Sequence, residues 1–432
     1  MASLSDCPLE IIEMVMDFLQ DDPRALKACS RTCVALLSLC RRYIFHSLLI
    51  TNSPFSQQTR RITQVKPKVW HFLEANPTIS EYVQKVTYPM TIFDLRDGDV
   101  PRVLDQLHNH NVHSFKLIGL PLPPSRMWWA LVPPPLEDAL LRVVQSPLIT
   151  CLALSEIAHF PLIALRACVN LTELTLCRVD FHVSAVDEQG SLTSAPGFDV
   201  KIPQLQTFAC ETYSNQNPMY LLNARHPING PVLDFSHVRM LSLEVDRSSD
   251  LAVPRAFINI TNKLETLRYR GTYQKHFSKD RILYLTPIAY DFSCALFAGM
   301  AASINNLSLS TLKRLHLTFN IIGNDVKDPL YGISKELNHL SGHSNVIEEI
   351  HIVARVRRDH IGKQWEMLDT ALSKGNGFPL LRLVSIDITV HLKIYEGEFL
   401  RERELDEIPS RFLPWLSSIK TVLLSFSRKV DW

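Results

Sequence analysis

Three histidines near residue 110 form the most metal-like group of side chains in the sequence. His108, His110 and His113 lie within six residues, and imidazole nitrogens are common zinc ligands. No acidic partner stands at a matching spacing. Histidines are also common in loops beside strands without binding a metal, and we favour this interpretation. We therefore predict no metal site here.

A second group of side chains, near the N-terminus, could be fitted to a zinc site and consists of Cys29, Cys33, Cys40 and His46. The same cysteines coincide with the apolar stripe of a predicted helix, where cysteine behaves as a small hydrophobic residue. The chain has nine cysteines with irregular spacing and shows no secretory signal. These features predict reduced thiols and an intracellular location, in the cytoplasm, the nucleus or both.

The sequence contains no recognisable signature of catalysis or cofactor binding. Ser155 and Ser191 lack the Gly-x-Ser-x-Gly turn that exposes a nucleophilic serine. Neither Gly-x-Gly-x-x-Gly nor a P-loop motif occurs. We therefore predict a protein that is not an enzyme, with no catalytic residue, metal or cofactor. An enzyme with an unrecognised site is the least favoured alternative.

The balance of charge argues against two general classes of partner. The 432 residues include 45 basic and 44 acidic side chains, so nothing global points to nucleic acid or to an anionic membrane surface. No run of 18 apolar residues occurs, so we predict no membrane span. Another protein is therefore the expected partner.

The first fifty residues have the pattern of short amphipathic helices. Ser5 or Asp6 can cap one helix with Pro8 in its first turn, and Asp22 can cap a second that begins at Pro23. Apolar residues recur with helical periodicity in both stretches. About 45 residues are too few to bury all of these side chains, so the segment is predicted to pack on a partner, on the next domain or on both.

This segment resembles the F-box motif from Cys7 to about Ile50. The resemblance is carried by Cys7-Pro8-Leu9-Glu10-Ile11-Ile12 and by the apolar pair Phe18-Leu19. Cys7, Val34 and Leu36 stand where the family usually has Leu, Arg and Trp, and all three are apolar. The resemblance implies that the helices bind the small adaptor subunit of an SCF-type cullin–RING ubiquitin ligase.

The positions that match those expected to form or support the adaptor interface are Pro8, Leu9, Ile11, Ile12, Val15, Leu19, Leu26 and Leu36. An ordinary helical cap on the following domain is the alternative interpretation, because it needs the same apolar pattern.

An apolar-x-x-apolar-x-apolar pattern recurs twelve times along the chain. The units Ile149/Leu152/Leu154 and Leu171/Leu174/Leu176 are one closely spaced pair. Central positions run from residue 48 to residue 422, so the mean spacing is about 34 residues, above the roughly 20–29 of leucine-rich repeats. Insertions explain the difference, and we expect loops at about 184–203, 211–236, 271–290, 320–340 and 355–379.

Each unit predicts a short strand that must stack on parallel neighbours to bury its apolar face. Stretches such as Ser146-Pro147-Leu148-Ile149-Thr150 and Cys168-Val169-Asn170-Leu171 also resemble F-box proteins with degenerate leucine-rich repeats, which are abundant in mushroom-forming fungi. The predicted fold is α/β: a helical F-box domain at 1–48, then an irregular leucine-rich-repeat-like solenoid at 49–432 with a curved parallel sheet and long loop insertions.

Alternation along the predicted strands places a set of charged side chains on the outward face of the sheet. We predict a target-binding surface in which basic residues on adjacent strands are followed by acidic ones: Arg268, Arg270, Arg314, His316, Glu349 and Asp387. The alternative is a solvated sheet face without a binding role. Trp128 and Trp129 could similarly form an exposed aromatic anchor or pack against the proline-rich loop.

Together these interpretations predict a substrate-recognition subunit, monomeric within a hetero-complex. Its helices bind the adaptor, and through it a cullin, while the repeat array binds an unknown target protein. The alternative is a leucine-rich-repeat interaction scaffold that is not attached to a ligase. Neither nucleic acid nor a membrane is an expected partner.

Overall fold

The computed structural model describes 7–32, 34–50, 64–65, 69–92, 95, 98–120, 126–182, 201–212, 219–224, 231–246, 251–274, 297–322, 330–357, 364–373, 377–391, 410–411, 413–419 and 422–431. These residues form a mixed α/β fold with two compact units. Unit 1 comprises Met1–Pro203 and Ala224–Leu233, and unit 2 comprises Gln204–Asn223 and Asp234–Trp432. The division falls inside the stretch predicted as one repeat array.

Unit 1 begins with three short helices, α1 (Leu9–Leu19), α2 (Pro23–Cys29) and α3 (Val34–Ile44). The carboxylate of Asp22 caps α2 by accepting the backbone N–H groups of Arg24 and Ala25 at 2.9 and 3.1 Å. Pro23 occupies the first helical position, where its missing N–H is not needed. The predicted start of this helix is therefore confirmed.

The strands of unit 1 are β1 (Ser47–Ile50), β2 (Gln64–Val65), β3 (Lys85–Thr91), β4 (Ser114–Leu120), β5 (Met127–Trp128), β6 (Cys151–Ser155), β7 (Ile157–Ala158), β8 (Phe160–Pro161), β9 (Glu173–Cys177) and β10 (Phe181–His182). The main sheet has the order β9-β6-β4-β3-β1-β2, and its described pairs are parallel. Val86, Phe115, Leu152 and Leu174 occupy the same register and are buried. Successive repeats therefore stack equivalent side chains in one core.

Helices return the chain between these strands: α4 (Val69–Ala75), α5 (Pro77–Ser80), α6 (Asp99–His108), α7 (Pro134–Val144) and α8 (Ile163–Arg166). Asparagine side chains link consecutive turns of the chain. The Nδ2 of Asn111 donates to the carbonyl of Glu81 at 3.2 Å, and that of Asn170 donates to the carbonyl of Pro147 at 2.8 Å. These bonds satisfy loop carbonyls that the strands leave unpaired.

Unit 2 contains β11 (Thr207–Thr212), β12 (Met240–Asp246), β13 (Thr266–Gln274), β14 (Arg314–Ile322), β15 (Glu349–Arg357), β16 (Leu383–His391) and β17 (Leu423–Asp431). Each strand pairs in parallel with the next one along the chain. Leu241, Leu267, Leu315, Ile350 and Val384 share one register and are fully buried. The prediction of an α/β fold with a large parallel sheet is confirmed.

The helices of unit 2 are α9 (Met219–Asn223), α10 (Ala252–Ile260), α11 (Met300–Ser303), α12 (Asn306–Leu309), α13 (Leu330–Ser341), α14 (Gln364–Ser373) and α15 (Pro414–Ser418). Two buried carboxylates join them. Glu336 accepts the backbone N–H of Ala301 at 2.8 Å, and Asp369 accepts that of Leu416 at 2.8 Å. Each carboxylate satisfies the N-terminus of a short helix.

Part of the loop prediction is wrong. The insertions predicted at 320–340 and 355–379 contain α13 and α14, whose buried residues recur with helical spacing, as Ile333, Leu337 and Leu340 show in α13. Polar residues at the edges of these stretches hid that period. Residues 184–200 and 275–290 of two other predicted insertions lie outside the described residues.

Candidate partner-binding surfaces

Helix α1 has an apolar inner face that packs on α2 and α3. Met16 is 2% exposed and lies in a small core with Leu26, Leu36 and Cys40. Ile12 and Leu19 pack against that core and are partly buried. These contacts fix the orientation of α1 on the other two helices.

The same helix has a second apolar stripe that faces away from this core. Ile11, Met14, Val15 and Phe18 are 44%, 50%, 46% and 84% exposed, and we call them the α1 outer face. Their spacing of i, i+3, i+4 and i+7 places them on one side of a helix. A single amphipathic surface helix needs only one apolar stripe, so the second has no role in the core of the three helices.

The predicted adaptor-binding residues therefore divide into three groups. Pro8, Leu9, Ile11 and Val15 are exposed, whereas Ile12 and Leu19 are partly buried and Leu26 and Leu36 are buried. The exposed residues are placed to touch a partner, and the buried ones can only support those that do.

Sequence reasoning omitted Met14 and Phe18 from the predicted interface. Helical projection of the sequence could have identified them, because they continue the stripe that begins at Ile11. The exposed fraction of Phe18 is the largest in the α1 outer face.

Polar contacts hold the margin of α1 against α3. The hydroxyl of Tyr43 donates a 2.7 Å hydrogen bond to Asp17, and this bond raises the pKa of Tyr43 to about 12. Arg42 lies 3.7 Å from the carboxylate of Glu13. Because these groups are largely exposed, the contacts orient the helix more than they stabilise it.

In unit 2, side chains of one register form a polar line across the outward face of the sheet. We call this line the central row, and it contains Ser242, Arg268, His316, His351 and Ser385. None of the five is buried. The structure thus brings Arg268 and His316, both predicted to bind a target, to adjacent positions on neighbouring strands.

The other predicted target-binding residues lie one step of the pleat away on either side. Arg314 and Glu349 form an ion pair in which Nε lies 3.5 Å from the carboxylate. Arg270 pairs at 3.3 Å with Glu244, which was not predicted to contribute. Asp387 accepts a hydrogen bond from the hydroxyl of Ser427. The basic and acidic residues therefore alternate closely instead of forming separate patches.

The two imidazoles of the central row stack on each other. The ring centroids of His316 and His351 lie 4.4 Å apart, and the ring planes differ by 6°. Partial burial and, to a smaller extent, the neighbouring His351 and Arg268 together lower the pKa of His316 to about 4. His316 is therefore neutral at pH 7.

The side chains that could suggest metal binding do not assemble into a site. In the described ranges, no group of three or more His, Cys, Asp or Glu residues is arranged to hold a metal ion. Cys40 is fully buried with its thiol 3.9 Å from the sulfur of Met16, and Cys33 and Ser191 lie outside the described residues. Among the described helices, none is long and apolar enough to cross a membrane.

The two adjacent tryptophans of unit 1 have different environments. Trp129 is buried and donates its indole N–H to Glu137 at 2.8 Å. Trp128 is half-exposed, with its ring 4.7 Å from that of His159. Trp129 is therefore a core residue, and Trp128 is the exposed one of the pair.

Comparison with known proteins adds no family assignment, because neither a protein-family model nor a curated protein matches the sequence.

Proposed function

We propose that the chain is the substrate-recognition subunit of an SCF-type cullin–RING ubiquitin ligase. In this proposal, helices α1 to α3 bind the adaptor subunit, and the outward sheet face of unit 2 binds a target protein. The observation that carries the proposal is the pair of apolar faces on α1, of which the described helices bury only the inner one.

An apolar stripe that a helix exposes to water can bind in a hydrophobic groove on a partner. Covering each half-exposed side chain of the α1 outer face contributes on the order of 1 kcal/mol. Anchors spaced at i, i+3, i+4 and i+7 are the usual pattern by which one helix is recognised in a groove. The resemblance to the F-box motif supports an SCF adaptor as the occupant.

The parallel sheet, in which successive repeats bury equivalent side chains, supports a leucine-rich-repeat-like solenoid. Such an array offers its strand surface to a target, and the central row supplies polar groups there. The chain itself performs no chemistry in this proposal. It raises the local concentration of the target near a ubiquitin-loaded enzyme by holding both in one complex.

Adaptor capture tests the proposal. The full chain would be co-expressed with a recombinant SCF adaptor as wild type, as Ile11→Asp/Val15→Asp, and as Leu307→Asp. Ile11 and Val15 are exposed, so the double variant keeps the helical core, whereas a change at Ile12 would disturb it. Leu307 of unit 2 is also an apolar residue of a helix, is somewhat more exposed than Ile11 and Val15, and serves as the control.

We expect the wild type and the Leu307→Asp variant to retain the adaptor, and the double variant to lose at least about tenfold in affinity. Circular dichroism and hydrogen exchange of α2 and α3 should be the same in all three. If the folded wild type retains no adaptor, or the double variant retains it fully, the ligase assignment fails. An interaction scaffold without a ligase is then the better interpretation.

A further inference from the structure

Arg268 differs from the two arginines nearest to it on the outward face of unit 2. Its side chain is exposed, and it forms no ion pair with any described residue. Arg270 and Arg314 on either side are each paired with a glutamate. The central row therefore has one positive charge to offer, whereas its neighbours have already been neutralised.

His316 lies beside Arg268 in register and can provide a hydrogen-bond donor from its ring. The charged and titratable groups around its ring are Arg268 on β13, Arg314 on its own strand, and Glu349 and His351 on β15. Partial burial, together with His351 and the two arginines, keeps this imidazole neutral, and Glu349 acts in the opposite direction. A carboxylate bound beside the ring would raise the pKa of His316.

We infer that Arg268 and His316 bind a carboxylate from an acidic side chain of the target protein, with the guanidinium pairing with the carboxylate and the neutral imidazole donating a hydrogen bond to it from a ring N–H. The inference rests on the proposed target-binding role of this sheet and names its ligand class. One free guanidinium matches one carboxylate, because a planar guanidinium can donate two parallel hydrogen bonds to it. Ser242 borders Arg268 and can donate to the adjoining peptide backbone, whereas Ser385 lies beyond His351 at the end of the row.

A carboxylate fits this arrangement better than a phosphate group does. Sites for phosphorylated residues usually combine several free arginines around a charge near −2. Here the two further arginines are held by Glu244 and Glu349. A phosphate would therefore have to break existing ion pairs, whereas a carboxylate needs only the unpaired cation.

Titration of the histidine ring by NMR tests the inference without knowledge of the target. The full chain, labelled at histidine, would be titrated between pH 3 and 8 with N-acetyl-glutamate N-methylamide and, separately, with the neutral N-acetyl-glutamine N-methylamide. The His316 resonance is identified as the one missing from His316→Gln. The variants are Arg268→Gln and, as a control, Arg382→Gln, which removes an exposed ion-paired arginine outside the central row.

We expect the glutamate probe to raise the pKa of His316 by about one unit in the wild type and in Arg382→Gln. The glutamine probe should leave it unchanged, and Arg268→Gln should abolish the response. No rise in the wild type, or an equal rise in Arg268→Gln, overturns the inference. A response to N-acetyl-phosphoserine N-methylamide at tenfold lower concentration overturns the choice of carboxylate.

The adaptor experiment reports on α1 and this titration on β13 and β14, so the two proposals can fail separately. Retained adaptor capture without a His316 response rejects only the carboxylate site. A His316 response without adaptor capture rejects only membership of the ligase.

Discussion

Helix α1 and strand β15 each bury one side and expose the other, but their exposed sides differ. Strand β15 buries Ile350, Ile352 and Ala354 completely and exposes Glu349 and Arg355 to different degrees on its other side. Helix α1 buries Met16 and exposes five apolar residues, four of which form the α1 outer face. The outer side of the strand therefore needs no further cover in water. Covering the exposed apolar side of the helix with another polypeptide would lower the free energy.

This difference suggests two kinds of association. Burying an apolar face is favourable with almost any partner of complementary shape. Such a face therefore suits a lasting contact with a subunit that is the same in every complex. A polar row gains little net free energy from each contact and selects a partner by matching charge and hydrogen bonds. A receptor that holds one adaptor while exchanging targets needs both kinds.

The largest expected effect concerns the buried side of the strand. Ile352→Ala removes a fully buried side chain between β14 and β16, so the cavity should lower the free energy of unfolding of unit 2 by about 3 kcal/mol. Hydrogen exchange of the β15 amides and chemical denaturation would measure the loss. Val353→Ala, on the partly exposed side of the same strand, should cost less than about 1 kcal/mol. Equal costs would show that β15 has no buried side distinct from its outer one.

A smaller effect is expected within α1, where two large apolar residues stand two positions apart. Met16→Ala should destabilise the three helices by about 2 kcal/mol, because Met16 lies in their core. Phe18→Ala should change their stability by less than about 0.5 kcal/mol, because most of this ring is already in water. Hydrogen exchange of the α2 and α3 amides separates the two outcomes. A large cost for Phe18→Ala would show that the chain itself covers the α1 outer face.

The strand positions could be predicted from the sequence because their cause is local. Leu152 and Leu174 stand at the centre of a three-residue apolar pattern, and both are fully buried in register. Helix α13 was missed because polar residues flank it, although its period is clear in Ile333 and Leu337. The spacing of apolar residues within a segment therefore predicts a helix better than the polarity of the flanking residues does.

The candidate surfaces were predictable only as sets of residues. Alternation predicts that Arg268 and Arg314 face outward. It does not show that Arg314 pairs with Glu349 while Arg268 has no ion pair among the described residues, because pairing depends on register and on side-chain conformations. Phe18 was similarly assigned to the apolar stripe of α1, but that stripe proved to be two faces, and only three-dimensional packing separates them.

The smallest expected effect is the pH dependence of unit 2. The pKa of His316 is about 4 in the folded chain, below the value of about 6.5 expected when unfolded, so the unfolded chain binds more protons between these values. Stability contributed by the neutral imidazole is therefore intact above pH 6.5 and declines as the pH falls towards 4. Because the ring is only half-buried, solvent screening limits the loss to about 1 kcal/mol.

His316→Gln isolates this effect, because glutamine cannot take up the proton. Chemical denaturation at pH 7 and pH 4.5, followed by hydrogen exchange of the β14 amides, should show a smaller acid-dependent loss in the variant than in the wild type. Helix α1 provides the internal reference, since its outer face contains no ionisable side chain and its amides should respond equally in both proteins. An identical acid response of β14 in the two proteins would mean that burial and neighbouring charges do not hold His316 neutral. The central row would then differ from the α1 outer face in composition, but the stability of both regions would depend on pH to the same extent.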